Sequence, residues 1–260
     1  MITTPLIFRL ILLLCIPMYA IAKNIVKKIL PQKFLFENEM FFRKALYPLY
    51  KGKDYECNIC RSRLKEFVRL ENGNLLCPVC GSLPRSRRLY KILTENYLKE
   101  GFTVLDFSPS RAIFRALKHK KQIKYFPTDF ENEFLADYHF DITKIDVEAE
   151  KFDLIICYHI LEHIENDGAA MKELHRVLKT GKTLLIQTPF KEGDIYENPE
   201  VKTSEERLQH FGQKDHVRIY SVNGLVQRLK DSGFQTEIKT YEKDTYWGFS
   251  DQETIIFCTK

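Results

Sequence analysis

A chain of 260 residues, 44% hydrophobic and 29% charged, has room for one mid-sized core and one small one. Its composition excludes a collagen-like or disordered scaffold, and the lack of internal repeats excludes a solenoid. The net charge of +5 is unevenly spread: residues 1–100 carry 18 Lys/Arg against 8 Asp/Glu, and residues 101–260 carry 22 against 27. The front half therefore either faces an anionic neighbour (a membrane surface or nucleic acid) or presents a solvated basic face.

Residues 1–22 form a hydrophobic N-terminal segment in which Leu6 to Ala22 are apolar apart from Arg9. Three readings stay open. One is a secretory signal peptide ending at Ala20-Ile21-Ala22, another an uncleaved anchor interrupted by Arg9 and Pro17, and the third a wrongly chosen start codon. Lys23, Lys27, Lys28 and Lys33 follow the run, and positive charge there keeps the downstream chain in the cytoplasm. Membrane association through residues 5–22 is the expectation. Residues 23–54 interleave lysines with Ile, Val, Leu and Phe. That pattern suits a basic amphipathic linker or helix, lying at an interface or packed on the protein.

Residues 55–86 read as a small zinc ribbon. Cys57-x-x-Cys60 and Cys77-x-x-Cys80 are separated by 16 residues, within the range of a four-cysteine structural zinc site. Glu66 to Leu70 alternates like a short strand, and Asn72-Gly73 marks a hairpin turn. The competing reading is a pair of disulfides in an exported domain. Cys15, Cys157 and Cys258 lie in apolar runs, outside any such framework.

Residues 87–260 alternate helix and strand. Helices are expected over 87–99, 110–119, 168–178 and 222–231. Strands are expected over 103–107, 124–129, 152–158, 183–188, 235–241 and 254–259, with a short extra strand end near 139–143. This order predicts an α/β, Rossmann-like, mostly parallel sheet with helices on both faces. Ligands on such sheets bind beyond the carboxyl ends of the strands. Asp106 ends the first strand and Asp129 the second, near the offset at which a carboxylate meets a ribose diol. Asp141 lies between strands, and Tyr158-His159 ends the next. Any one of these residues could merely cap a turn; four successive polar strand ends suit a nucleoside.

The segments Val104-Leu-Asp-Phe107, Tyr125-Phe-Pro-Thr-Asp129, Asp141-Ile-Thr143, Phe152 to Leu161-Glu162-His163 and Arg176-Val-Leu-Lys179 to Pro189 resemble class I S-adenosylmethionine-dependent methyltransferases of the methyltransferase-11-like group. The stretch Gln209 to Tyr220 resembles a bacterial branch of that group. The resemblance covers roughly residues 100–260 and implies S-adenosylmethionine as cofactor. It assigns Asp129 to the ribose hydroxyls and Asp141 with Ile142 to the adenine. Asp106, Phe107, Ser108 and Pro109 go to the loop by the amino-acid end, with Tyr158 and His159 beside it. The departure is that loop, Phe107-Ser-Pro-Ser-Arg111, which lacks the family's glycines. It reads as a variant, or as the mark of a relative that no longer binds the cofactor.

Methyl transfer needs alignment of donor and acceptor, and a base only where the acceptor must lose a proton. His163, His210 and His216 are candidates for that base, each with a structural hydrogen bond as its plainer role. Lys214 to Tyr220 suits a lid or an acceptor wall. The leading function is methyl transfer to a small molecule, glycan or lipid-linked acceptor by a catalytic domain in the cytoplasm. The alternatives are an RNA methyltransferase, which would use Arg61, Arg63, Lys65, Arg69, Arg85, Arg87 and Arg88 of the ribbon, and a non-enzymatic zinc-ribbon adaptor with a degenerate cofactor fold.

Overall fold

In the computed structural model, which describes residues 38–131, 133–249 and 252–260, the chain divides into two units, Met1–Tyr50 and Lys51–Lys260. The described part of the first is helix α1 (Glu39–Tyr50), which buries no residue and contains Pro48. The apolar run 6–22 lies outside the described residues. Among the described residues no helix is long and apolar enough to cross a membrane.

The second unit starts with the ribbon. Strand β1 (Lys51–Glu56) pairs with β2 (Arg63–Leu64), and β3 (Val68–Arg69) pairs antiparallel with β4 (Leu75–Leu76). Asn72-Gly73 closes the second hairpin as expected, with Gly73 at φ 81°. Each cysteine pair sits in a tight turn, Arg61 N–H donating to the Cys57 carbonyl and Gly81 N–H to that of Cys77.

Helix α2 (Pro84–Asn96) begins three residues earlier than the apolar periodicity suggests, because Pro84 occupies the first turn, where its missing N–H costs nothing. Then follow β5 (Phe102–Phe107), α3 (Arg111–Leu117), β6 (Ile123–Thr128), β7 (Phe152–Tyr158), α4 (Asp167–Val177), β8 (Leu178–Gln187), β9 (Tyr196–Glu197), α5 (Ser204–Phe211), β10 (Arg218–Ile219), α6 (Val222–Asp231), β11 (Gln235–Tyr241) and β12 (Glu253–Thr259). The six-stranded sheet runs β11-β12-β8-β7-β5-β6. Strands β6, β5, β7 and β8 are parallel, and β12 is antiparallel to both its neighbours. The expected strand end near 139–143 is only a pair of isolated bridges, Thr128 with Tyr138 and Asp141 with Lys144. Asp141 turns the chain there instead of extending it.

Alternation along the strands divides the core in two. Leu105, Phe107, Ile155, Cys157, Leu184 and Ile186 face α4 and α6, while Val104, Leu154, Ile156, Leu185 and Phe257 face α2 and α3. A sheet covered on both faces reads as continuous apolar runs, which is why 152–158 was legible as a central strand.

Arg87 is fully buried and joins the ribbon to the sheet. Its guanidinium donates to the carbonyls of Ser82 and Leu75 in the ribbon and of Trp247 and Gly248 in the loop before β12. The cation also lies over the Phe67 ring at 4.3 Å. Arg88 pairs with Glu253 at 2.9 Å. Two of the seven cations available to an RNA-binding face are therefore spent inside the protein.

Gly248 has φ +67°, and a Cβ there would stand 2.5 Å from Phe67 and 2.7 Å from the Arg87 guanidinium. Gly248→Ala is expected to destabilise the protein by about 2 kcal/mol or more through this overlap and the backbone strain. A melting temperature equal to wild type would contradict the packing described.

Candidate active site

The carboxyl ends of the parallel strands lie side by side, and the chain turns out of two of them in strained conformations. Ser108, after β5, has φ 45°, and His159, after β7, has φ 56°. Both lie in the left-handed region that side chains disfavour by roughly 1–2 kcal/mol. Ser108 thus takes the backbone conformation a glycine would adopt, and hydrogen bonds hold it there. Its N–H donates to Thr128 O at 2.7 Å, and its hydroxyl to Asp129 Oδ1 at 2.6 Å. Ser110 caps α3 and meets Ser86 of α2 at 3.0 Å.

Asp106 is buried and accepts the Tyr125 hydroxyl at 2.8 Å. Burial pushes its carboxyl up to about 7, against the opposing pull of that hydroxyl. Asp129, also buried, accepts the N–H groups of Glu133 and Phe134 at 2.7 and 3.0 Å on Oδ2. Among the described residues it forms no ion pair. Its carboxylate also caps the turn that follows, so Asp129→Ala would cost stability as well as any affinity.

Asp141 accepts the backbone N–H and hydroxyl of Thr143 at 2.8 and 2.7 Å, and Ile142 packs into the core below it. The Tyr158 hydroxyl, Gln187 Oε1 and Thr188 Oγ1, from the ends of β7 and β8, are buried with no hydrogen-bond partner.

The chain beyond β7 builds the opposite wall. A 3₁₀ turn (Leu161–His163) places Glu162 at 1% exposure. Neither Glu162 oxygen accepts a well-formed hydrogen bond, although His159 Nδ1 stands 3.3 Å from Oε1. Burial works to raise this carboxyl, but His159, with smaller help from a backbone group and the nearby Thr188, outweighs it, and the group is lowered below its ordinary value.

The segment Lys214 to Tyr220 is a fixed wall. Val217 N–H donates to the Glu162 carbonyl at 2.9 Å, and Arg218 donates to the carbonyls of Leu161, Ile164 and Glu165. Tyr220 bonds Asp167 at 2.6 Å. His216 is thereby held, buried, edge-on to His163, with ring centroids 4.7 Å apart. His210 lies apart, exposed on α5 and bonded to Tyr196 at 2.6 Å. A cavity of about 170 Å³ opens here, lined by Glu162, Pro189, Phe211, Gln213, His216 and Arg218, among others.

In the ribbon, Cys57 Sγ lies 3.6 Å from that of Cys80, and Cys60 Sγ 3.7 Å from that of Cys77. All four are free thiols within 4.8 Å of one another. A disulfide needs about 2.05 Å. A tetrahedral ion bonded to four sulfurs at about 2.3 Å would set them about 3.8 Å apart, so the spacing fits an ion and not a pair of disulfides. The neighbouring Cys57 and Cys60 sulfurs, and burial, push the Cys77 and Cys80 thiols up.

A family model described as a methyltransferase domain matches residues 84–237. The chain belongs to this methyltransferase family. Solved structures agree on the fold. A S-adenosylmethionine-dependent methyltransferase from Archaeoglobus fulgidus aligns at 16% identity and TM-score 0.50, covering 68% of this chain and 93% of that one. The [4+2]-cyclase SpnF aligns at 14% identity and TM-score 0.50, covering 67% and 81%. No curated protein sequence matches. The cyclase shows that this fold hosts more than one chemistry, so the enzyme class rests on the family match.

In this methyltransferase the sequence reading overlooked Glu162 as a site residue and missed α5. A signal for α5 was present: Thr203 and Glu206 form a capping box, and Gly212 ends the helix at φ 81°. That helix brings Phe211 and Gly212 to the cavity.

Proposed function

We propose that the protein transfers the methyl group of S-adenosylmethionine to an oxygen of a small-molecule, glycan or lipid-linked acceptor seated between Glu162 and His216. The observation that carries this reading is the cavity at the crevice wall, which has buried polar side chains and room for only a small part of an acceptor. The residues at the strand ends fit the cofactor. Asp129 supplies carboxylate oxygens for the ribose hydroxyls, and Ser108 keeps the loop in the conformation that lets the backbone approach. Asp106 is assigned to the ammonium of the amino-acid end. The bound cofactor supplies an electrophilic methyl group. The protein's part is to align the acceptor, exclude water and take no covalent role. The ribbon is assigned a structural zinc on Cys57, Cys60, Cys77 and Cys80, and membrane association through residues 5–22 remains part of the proposal. A screen of labelled methyl transfer into small-molecule, glycolipid and RNA fractions tests the acceptor class, and label confined to RNA would overturn it.

Asp106 adds a pH dependence. Its folded-state pKa is raised, so the free protein holds a proton that an ordinary carboxyl has lost, and the stability this gives declines as pH rises from about 4 to about 7. A cofactor ammonium favours the ionised form, so binding expels that proton below pH 7. Affinity for S-adenosylmethionine is expected to rise by up to about tenfold per pH unit up to about 7 and then level off. Titration calorimetry across this range checks it. Asp106→Asn should flatten the slope, and an equally steep slope in that variant would remove Asp106 from the cofactor site.

A further inference from the structure

Glu162, His163 and His216 each offer a ligand atom, and these atoms all lie within 4.8 Å of one another. The three residues come from two segments, the 3₁₀ turn after β7 and the strand-like wall ending in β10, which the Arg218 guanidinium bolts together through three carbonyls. Two observations set this group apart from a chance cluster. Both Glu162 oxygens are buried and, among the described residues, accept no well-aligned hydrogen bond, with the His159 imidazole 3.3 Å from Oε1; that leaves carboxylate lone pairs free for a cation. Asp215 Oδ2 stands 3.1 Å from His163 Nδ1. A carboxylate on one ring nitrogen fixes the tautomer and leaves the other as a lone-pair donor, the usual support for a metal-binding histidine.

We propose that Glu162, His163 and His216 bind one divalent transition-metal ion, which holds the acceptor oxygen in the adjoining cavity; this second half rests on the methyl-transfer reading above. One carboxylate with two imidazoles suits Zn²⁺, Mn²⁺ or Fe²⁺ better than Ca²⁺ or Mg²⁺. Three protein ligands leave positions open for a ligand, as catalytic sites do. Glu162 and His216 also line the cavity, so an acceptor entering there would meet those open positions. His159, 3.3 Å from Glu162 Oε1, orients the carboxylate. An acceptor hydroxyl whose oxygen is bound to the ion would be acidified and would pass its proton to solvent water. The freed oxygen pair forms the new O–C bond to the methyl carbon, the C–S bond breaks with its pair going to sulfur, and the sulfonium leaves as a neutral thioether.

The test counts metal on the full-length protein exposed to Mn²⁺, an ion that prefers oxygen and nitrogen to the four sulfurs of the ribbon. Zinc is measured by elemental analysis and manganese by loss of the free-ion paramagnetic resonance signal. Total metal is expected to reach about two per chain, one more than a four-cysteine site holds. Glu162→Gln and His163→Ala should each return it to about one, while melting stays cooperative. If Glu162→Gln does not fold, His163→Ala, at a partly exposed position, decides the matter. A total of one in the wild type, or a second ion kept by both variants, would overturn the site. Binding of S-adenosylmethionine by the wild type is scored separately. Metal without cofactor binding would sink the methyl-transfer reading alone, and cofactor without the second metal would sink this inference alone.

Discussion

Cys80→Ser in the full-length protein is expected to abolish binding of the zinc proposed for the ribbon and to unfold the ribbon, lowering the stability of the second unit by several kcal/mol. A structural zinc contributes about 10–16 kcal/mol of folding free energy in isolated zinc-finger peptides, against about 5–15 kcal/mol for the whole stability of an ordinary domain. The ribbon strands β2, β3 and β4 are two residues each, too short to hold themselves. Its packing rests on Leu64, Phe67, Leu76 and Val79 around the cysteines.

The damage should spread beyond the ribbon. Arg87 takes two of its carbonyl acceptors, Ser82 and Leu75, from the ribbon. If these move away, a buried guanidinium loses part of its compensation, which costs about 3–5 kcal/mol when such a charge is stranded. Elemental analysis and thermal melting check the prediction. A wild type with no metal and no free thiols, or a Cys80→Ser protein that melts like wild type, would contradict it.

Asp129→Asn is the more discriminating change in the crevice. The aspartate has two tasks in this structure, accepting the Glu133 and Phe134 N–H groups and bonding Ser108. Asparagine keeps one acceptor oxygen for the turn and loses the charge and the second acceptor. Stability should therefore fall by no more than about 1 kcal/mol, as for a weakened cap. Charge-assisted hydrogen bonds are worth about 1.5–3 kcal/mol each. Loss of one or two to the ribose hydroxyls should weaken S-adenosylmethionine binding by about ten- to several-hundred-fold. A variant with lowered melting temperature and unchanged affinity would show that Asp129 serves the turn alone.

Much of this architecture was legible because it follows local rules. The buried strand 152–158 is an unbroken apolar run, and the strand ends at Asp106 and Asp129 follow from where those runs stop. The ribbon was legible from its cysteine spacing, and Asn72-Gly73 gave its hairpin. Long-range facts were not. Arg87 and Arg88 counted as basic surface because formal charge carries no sign of burial, yet two of the four carbonyls that hold Arg87 come from some 160 residues away. Glu162 belonged to a recognisable segment, but its burial depends on β10 arriving from 50 residues downstream. Ser108 was read as a departure from a glycine pattern. Its left-handed backbone, held by Asp129 and Thr128, is a conformation glycine adopts freely, and hydrogen bonds from other parts of the chain are what sustain it here.

Calorimetric titration of the full-length protein with S-adenosylmethionine near pH 7.5, with Asp129→Asn beside it, tests the central claim most directly. The account predicts one cofactor per chain, bound in the micromolar range by the wild type and at least about tenfold more weakly by the variant. A folded wild type that gives no binding, or equal binding by both proteins, would contradict it.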